Sequence, residues 1–324
     1  MNDIKPILGL EDAFGNRAAA LRRLQFRLFE IYTSAGFSEV IPPLVERPEA
    51  LNSGAGHFLA DQTVVFSDPA DAGLLAIRPD MTPQIARIVA TRMLQDSVLK
   101  LHYTGPVMLA RPDVRTGSRQ QWQTGIECLG LAGVEGDVEV MHLAALSMDA
   151  AGFEGAILQV GHMGIIQALV SESDTSVENW VELISRHSPE DMAKYLNTEP
   201  LEDHIKDALI ALTAGHADEA WLRAQKDQIN DDFAVAADDL LSLAETVTNR
   251  LSGEVDIVVD AAVTPRFLYH SGMVFTGFAK DSSLALLHGG RYDKMMAAHG
   301  RDMPATGFSF DLWAWLDSAK QSDS

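Results

Sequence analysis

Residues 105–130, GPVMLARPDVRTGSRQQWQTGIECLG, restrict the fold of this chain more than any other stretch. They close one β-prone run, 98–109, and contain the next, 120–129, with only a short connection between them. Further runs rich in β-formers fall at 156–160, 255–259, 273–278 and 284–287. Most strands therefore adjoin in sequence instead of alternating with helices, which predicts an α+β fold on an antiparallel sheet and disfavours the doubly wound dinucleotide fold.

Apolar positions Leu21, Leu24, Leu28, Ile31, Tyr32 and Ala35 recur at helical spacing, predicting a long amphipathic helix over 16–35 with Asn16 as its cap and Gly36 as its stop. Helices are also predicted at 83–94, 137–150, 162–169, 292–299 and 311–319. Segment 37–45 carries β-formers broken by Pro42 and Pro43; proline cannot donate to a ladder, so this is an edge strand or an interface. Between 171 and 250 the composition turns helical and acidic, with 18 Asp and Glu against 6 Lys and Arg. The reading is an acidic helical insertion, 171–250, whose charge run is a solvated face. It interrupts a discontinuous core made of 1–170 and 251–324.

With 324 residues, 47% of them hydrophobic, the chain can bury a large core. The 25 Lys and Arg against 46 Asp and Glu leave a net charge of -21, which argues against a nucleic-acid partner held through many phosphates. The single Cys128 cannot form an internal disulfide, and residues 1–15 do not read as a signal peptide, so a cytoplasmic location is expected. No apolar run of about 18 residues predicts a membrane span. Neither the lone cysteine nor the spacing of the ten histidines suggests a metal, and no cofactor is expected.

Four clusters carry chemistry. In LLAIRPDMTPQ, Asp80 and Thr82 stand where a strand opens into a helix; Thr82 before Pro83 suits an ordinary N-terminal cap, and the pair could also hold an ammonium group. Gln121, Gln123 and Glu127 share one face of a strand, so that face is either solvated or the wall of a polar pocket. Trp122, Thr124, Ile126 and Cys128 take the other face, with Cys128 a core thiol. Tyr269 and His270 precede Ser271 and Gly272, and the fourth cluster is His-Gly-Gly-Arg-Tyr-Asp at 288–293.

These segments, in this order, resemble the catalytic core of histidyl-tRNA synthetase, a class II aminoacyl-tRNA synthetase, over roughly residues 5–320. GFSEVIPPLVE resembles motif 1, IRPDMT the amino-acid-binding segment, residues 105–127 motif 2, LYHSGMVF the histidine-specific segment, and GGRYD with ATGFSFDLWAWL motif 3. The resemblance implies an antiparallel sheet core flanked by helices, homodimerisation through motif 1, and a histidine-like pocket of Asp80, Thr82, Arg119, Gln123, Glu127, Tyr269 and His270. It departs at the cations. The ATP-binding arginines of motifs 2 and 3 fall on Leu109, Gly117 and Ala314, and Pro265 replaces another; only Arg119 matches, with Arg111, Arg115 and Arg266 as nearby substitutes. Losing one such stabiliser of a developing charge costs on the order of 100-fold, so adenylation is expected to be lost and no catalytic residue is assigned.

No anticodon-binding domain is expected in this chain. A synthetase core without ATP chemistry resembles the paralogue that serves as regulatory subunit of ATP phosphoribosyltransferase, the first enzyme of histidine biosynthesis. That resemblance implies a partner, the short catalytic phosphoribosyltransferase subunit, in a hetero-oligomer subject to histidine feedback. Two rivals are a divergent histidine-activating enzyme without tRNA and a dimer scaffold that binds nothing.

Overall fold

The computed structural model describes residues 7–54, 56–94, 97–113, 116–251, 255–265, 269–280 and 282–322, with side chains except at 56–58 and 320–322. The strands are β1 (Ser38–Glu39), β2 (Val45–Glu46), β3 (Val64–Ser67), β4 (Leu74–Ile77), β5 (Leu99–Met108), β6 (Gln120–Leu129), β7 (Ile157–His162), β8 (Asp256–Val259), β9 (Met273–Phe278), β10 (Ala285–Arg291) and β11 (Ala305–Asp311). The helices are α1 (Gly15–Ser34), α2 (Pro48–Asn52), α3 (Gly56–Gln62), α4 (Thr82–Arg92), α5 (Val134–Ala150), α6 (Met163–Leu169), α7 (Val177–Ser185), α8 (Pro189–Leu196), α9 (Asp203–Thr213), α10 (Glu219–Gln225), α11 (Asp231–Arg250), α12 (Asp293–Ala298) and α13 (Leu312–Ser322).

Eight strands form one sheet in the order β1-β5-β6-β11-β10-β9-β7-β8, and β2, β4 and β3 form a smaller one. The five central pairings of the large sheet are antiparallel, as the adjoining strands of the sequence require. The outermost pairs, β1 with β5 and β7 with β8, are parallel, so the sheet is mixed and not purely antiparallel. The reason is connection length: helices separate β1 from β5 and β7 from β8 in the chain, and a long crossover is what a parallel pair needs. β1 lies at the sheet edge just before Pro42 and Pro43, in line with the proline argument.

Helix α1 buries Leu21, Leu24, Leu28 and Tyr32 along one stripe. Asn16 does not cap it. The helix begins at Gly15, whose φ of +57° lets the chain enter a residue earlier, and no side chain caps its N-terminus. At the other end Gly36, φ +85°, stops the helix as expected. The Tyr32 hydroxyl meets Ser147 Oγ at 3.0 Å and joins α1 to α5 inside the core. Tyr32→Phe should cost about 1 kcal/mol in chemical denaturation, since Ser147 keeps its bond to the Leu143 carbonyl at 2.6 Å. A loss several times larger would mean that the ring itself had shifted.

The described elements of 171–250 are helices, as the composition predicts. They are not wholly solvated. Trp180, Leu209, Phe233 and Leu240 are fully buried and join the same apolar core as Leu158 and Val160 of the sheet. Each apolar stripe thus faces inward while the acidic residues face water.

Candidate functional site

The polar face of β6 is the wall of a buried pocket. Its floor is set by pairing: β6 lies between β5 and β11, which places Gly307 opposite Glu127 and Tyr103 opposite Gly125. Glu127, 1% exposed, accepts hydrogen bonds at Oε1 from Thr82 Oγ1 (2.9 Å) and Tyr103 OH (3.0 Å), and at Oε2 from Tyr292 OH (2.6 Å). Burial pushes this carboxyl up to about 8, against the pull of its three hydroxyl donors and with a further push from Asp80. Burial also raises Tyr103, Tyr269 and Tyr292 well above the ordinary phenol, so these hydroxyls keep their protons.

Beside this cluster, Gln123 Nε2 donates to Asp80 Oδ1 at 2.7 Å and to Ser309 Oγ at 3.1 Å, and its Oε1 accepts from the Met81 amide at 2.9 Å. Asp80 also accepts from the Thr82 amide at 3.2 Å and from Tyr269 OH at 3.3 Å. Tyr269 stacks on His270 at 4.7 Å and meets Tyr292 edge-on at 6.0 Å. Six of the seven residues read from the sequence thus gather in one place: Asp80, Thr82, Gln123, Glu127, Tyr269 and His270.

Arg119 does not join them. It stands four residues before Gln123, roughly 13 Å along the strand, and its Nε donates to the Leu109 carbonyl at 3.1 Å, clamping the base of the 109–119 loop. Thr82 is likewise not a cap. It is the first residue of α4 with Met81 before it, and Asp80 supplies the acceptor for the Thr82 amide, which leaves the threonine hydroxyl to turn into the pocket. Cys128 is a buried core thiol whose pKa burial raises to about 12, so it has no nucleophilic character.

Sequence reasoning missed Tyr103, Tyr292, His288 and Ser309 as members of the pocket. Tyr292 stood in the GGRYD cluster. Tyr103 and Ser309 carry no local signal, because only strand pairing sets them opposite the β6 residues. The strand β11 was itself unread, although it holds Gly307. A Cβ at Gly307 would lie 1.9 Å from Glu127 Oε2 and 2.4 Å from the Ile126 carbonyl, so no larger residue fits. Gly307→Ala should cost about 1–3 kcal/mol and push the Glu127 carboxyl off its partners. Unchanged thermal stability in that variant would contradict the geometry.

The cavity that remains is about 10 Å³, room for one water, lined by Thr82, Glu127, His270, His288, Tyr292 and Ser309 among others. A second cavity of about 400 Å³ is lined by Gly117 and Ala314, two of the positions where the resemblance expects ATP-binding arginines. Its walls carry Glu11, Asp12, Asp311 and Asp317, and among the described residues lining it the basic one is Arg17. Arg17 is held by Asp317 at 3.1 Å and Glu11 at 3.6 Å and lies over the Trp313 ring at 5.0 Å. Leu109 is buried, Arg111 is exposed, and Arg115 and Arg266 lie outside the described residues. Among the described residues lining it, four carboxylates face one arginine and repel a triphosphate. Among the described residues, no cluster of His, Cys, Asp and Glu is arranged to hold a metal ion, and no helix is long and apolar enough to cross a membrane.

This sheet and its polar pocket define a class II synthetase core of the histidyl-tRNA synthetase kind: the family model for histidyl-tRNA synthetase matches residues 9–314. Structural neighbours agree on the fold. A Bacillus halodurans structure titled ATP phosphoribosyltransferase regulatory subunit/histidyl-tRNA synthetase has a TM-score of 0.86 at 22% identity, covering 98% of this chain and 84% of that one. A histidyl-tRNA synthetase from Nostoc has a TM-score of 0.81 at 16% identity, covering 100% and 76%. Sequence similarity is more specific. The chain is 35% identical to the ATP phosphoribosyltransferase regulatory subunit of Thiobacillus denitrificans over 94% of both chains, and 32% identical to that of Thioalkalivibrio sulfidiphilus over 94% of this chain and 78% of the other. It belongs to the family of ATP phosphoribosyltransferase regulatory subunits.

Proposed function

We propose that the protein is a non-catalytic subunit that assembles with the short catalytic ATP phosphoribosyltransferase subunit and activates it in the first step of histidine biosynthesis. The observation that carries this reading is the split between the two cavities. The amino-acid pocket keeps a hydrogen-bonded polar cluster around Glu127 and Asp80, while the larger cavity has carboxylates and small residues where phosphate-binding cations would be needed. The names of relatives at 32–35% identity support the same role. The histidine-activating alternative requires a fixed cation on a transferring phosphoryl group, and Arg17, the lining arginine among the described residues, is already paired.

On this reading the pocket takes histidine or a ligand of similar size and charge, with Asp80 and Glu127 facing its cation. A cavity of about 10 Å³ is too small for histidine, so its walls must move to admit one. Feedback is then a coupling: histidine can shift activity only by its differential affinity for the assembly's states. The working arrangement is a homodimer within a hetero-oligomer, in the cytoplasm and without nucleic acid. Exposed Phe26, Phe29, Ile41 and Leu44, beside the edge strand β1, support a self-association face there. In domain terms it is a discontinuous core, 1–170 and 251–324, carrying 171–250 as an insertion.

Mixing the purified protein with a short catalytic phosphoribosyltransferase subunit tests the proposal. Co-elution and a raised turnover are expected, and neither histidine-dependent pyrophosphate exchange into ATP nor tRNA binding is. Separate elution with unchanged turnover would remove the proposed role.

A further inference from the structure

The Glu127 cluster has more hydrogen-bond contacts than an ionised carboxylate allows. Thr82, Tyr103 and Tyr292 contribute three hydroxyl protons. Four contacts need one: Thr82 to Glu127, Tyr103 to Glu127, Tyr292 to Glu127, and Thr82 to Tyr103 at 3.1 Å. A proton on the Glu127 carboxyl makes up that shortfall; Tyr269, which also hydrogen-bonds Thr82, brings one proton for its own contacts with Thr82 and Asp80.

The surroundings favour the same count. Asp80 shares the cluster through Gln123 and Tyr269, and a second unscreened carboxylate close by disfavours ionising both. The buried cation of this region, Arg78, donates to the Pro42 and Pro106 carbonyls and not to Glu127. A cavity of about 10 Å³ admits no solvent shell for a carboxylate. Tyr103 faces Glu127 from β5, Thr82 from α4, Tyr292 from the start of α12 and Gly307 from β11. His288 of β10 and the Tyr269–His270 segment are the remaining titratable groups on the pocket wall. The proximity of Asp80 and the desolvation of Glu127 act in one direction.

We propose that the pocket as packed here holds Glu127 as the neutral acid, and that a ligand bearing an ammonium or imidazolium group enters by displacing that proton. The exchange balances: the neutral acid and the cationic ligand become a carboxylate–cation pair and one proton released to solvent. This rests on reading the pocket as the ligand site, and it adds that the site responds to ligand and pH together. Affinity rises with pH up to the range where the acid ionises unaided and then levels off.

Titration calorimetry of the whole protein with L-histidine, at pH 7 in buffers of different ionisation enthalpy, counts the protons. Wild type should release about one proton more per histidine bound than Glu127→Gln. Equal release, or no binding of L-histidine to wild type, would overturn the proposal. Should Glu127→Gln fail to fold, a carbon-13 NMR titration of the wild-type glutamate carboxyls without ligand decides it: one carboxyl titrating near 8 supports the neutral acid, and all of them in the ordinary carboxylate range overturn it. A protein that releases its proton yet leaves the catalytic subunit's turnover unchanged would overturn the regulatory role and not this inference.

Discussion

Raising the pH from 6.5 to 8 should destabilise the protein by about 2 kcal/mol relative to Glu127→Gln, which lacks the titrating carboxyl. The carboxyl is raised from 4.5 to about 8 in the folded state, so the fold holds a proton that the unfolded chain releases. Unfolding therefore becomes easier as pH rises from about 4.5, and stability levels off above about 8. Each pH unit inside that window is worth about 1.4 kcal/mol for one proton. The lower part of the window is complicated by histidines: burial lowers His102 to about 4 and also lowers His162 and His299, which removes stability as pH falls below 6.5. At pH 6.5 those histidines are still half-protonated in the unfolded chain, so up to about pH 7.5 they oppose the Glu127 effect, and the difference between wild type and Glu127→Gln isolates Glu127. Glutamine keeps the volume and can still pair with the three hydroxyls without a charge to desolvate. Urea midpoints at pH 6.5, 7.25 and 8 for both proteins are the measurement, and parallel slopes would show that Glu127 is not the group that titrates.

Arg291→Ala should cost about 3–5 kcal/mol. Arg291 closes β10 with its side chain 11% exposed, against Asp137 of α5 at 8%. Its Nη2 is 2.7 Å from Asp137 Oδ1 and also donates to the Gly133 carbonyl at 3.0 Å, so one guanidinium ties the sheet to the N-terminus of α5. Burial raises the Asp137 carboxyl, and Arg291 is the main influence holding it down. Removing the cation leaves an unpaired buried acid, which is the expensive half of a broken pair. Asp137→Leu combined with Arg291→Met should recover most of the loss, because apolar replacements leave no charge behind. A double variant as unstable as Arg291→Ala would show that the Arg291 bonds to the Gly133 and Leu131 carbonyls, at 3.0 and 3.5 Å, matter more than the ion pair.

The long elements were legible because local pattern and burial agree in them. The stripe of Leu21, Leu24, Leu28 and Tyr32 needs only helical geometry to be read, and β6 matches its predicted limits. β11 was not legible. Its Ala-Thr-Gly-Phe-Ser-Phe run lacks the β-branched signature of a central strand, and its Gly307 makes sense only against Glu127 across the sheet. The parallel edge pairs were hidden for a related reason, since sequence adjacency says nothing about where a chain returns after a long crossover.

At the site, the sequence alone determined which groups are unsuited to a core. Gln123 and Glu127 on one strand face demand either water or partners, wherever the strand lies. It also determined which matched positions carry no cation, since Leu109, Gly117 and Ala314 are uncharged. The tertiary structure decided which alternative each polar group takes. Thr82 could have capped a helix, and its hydroxyl instead meets Glu127; Arg119 could have faced the pocket, and it holds the loop base. Tyr103, Tyr292 and Asp80 come from 24, 165 and 47 residues away to set the charge state of one carboxyl. Hydrogen bonding and desolvation act over a few ångströms of space, whereas sequence records only distance along the chain.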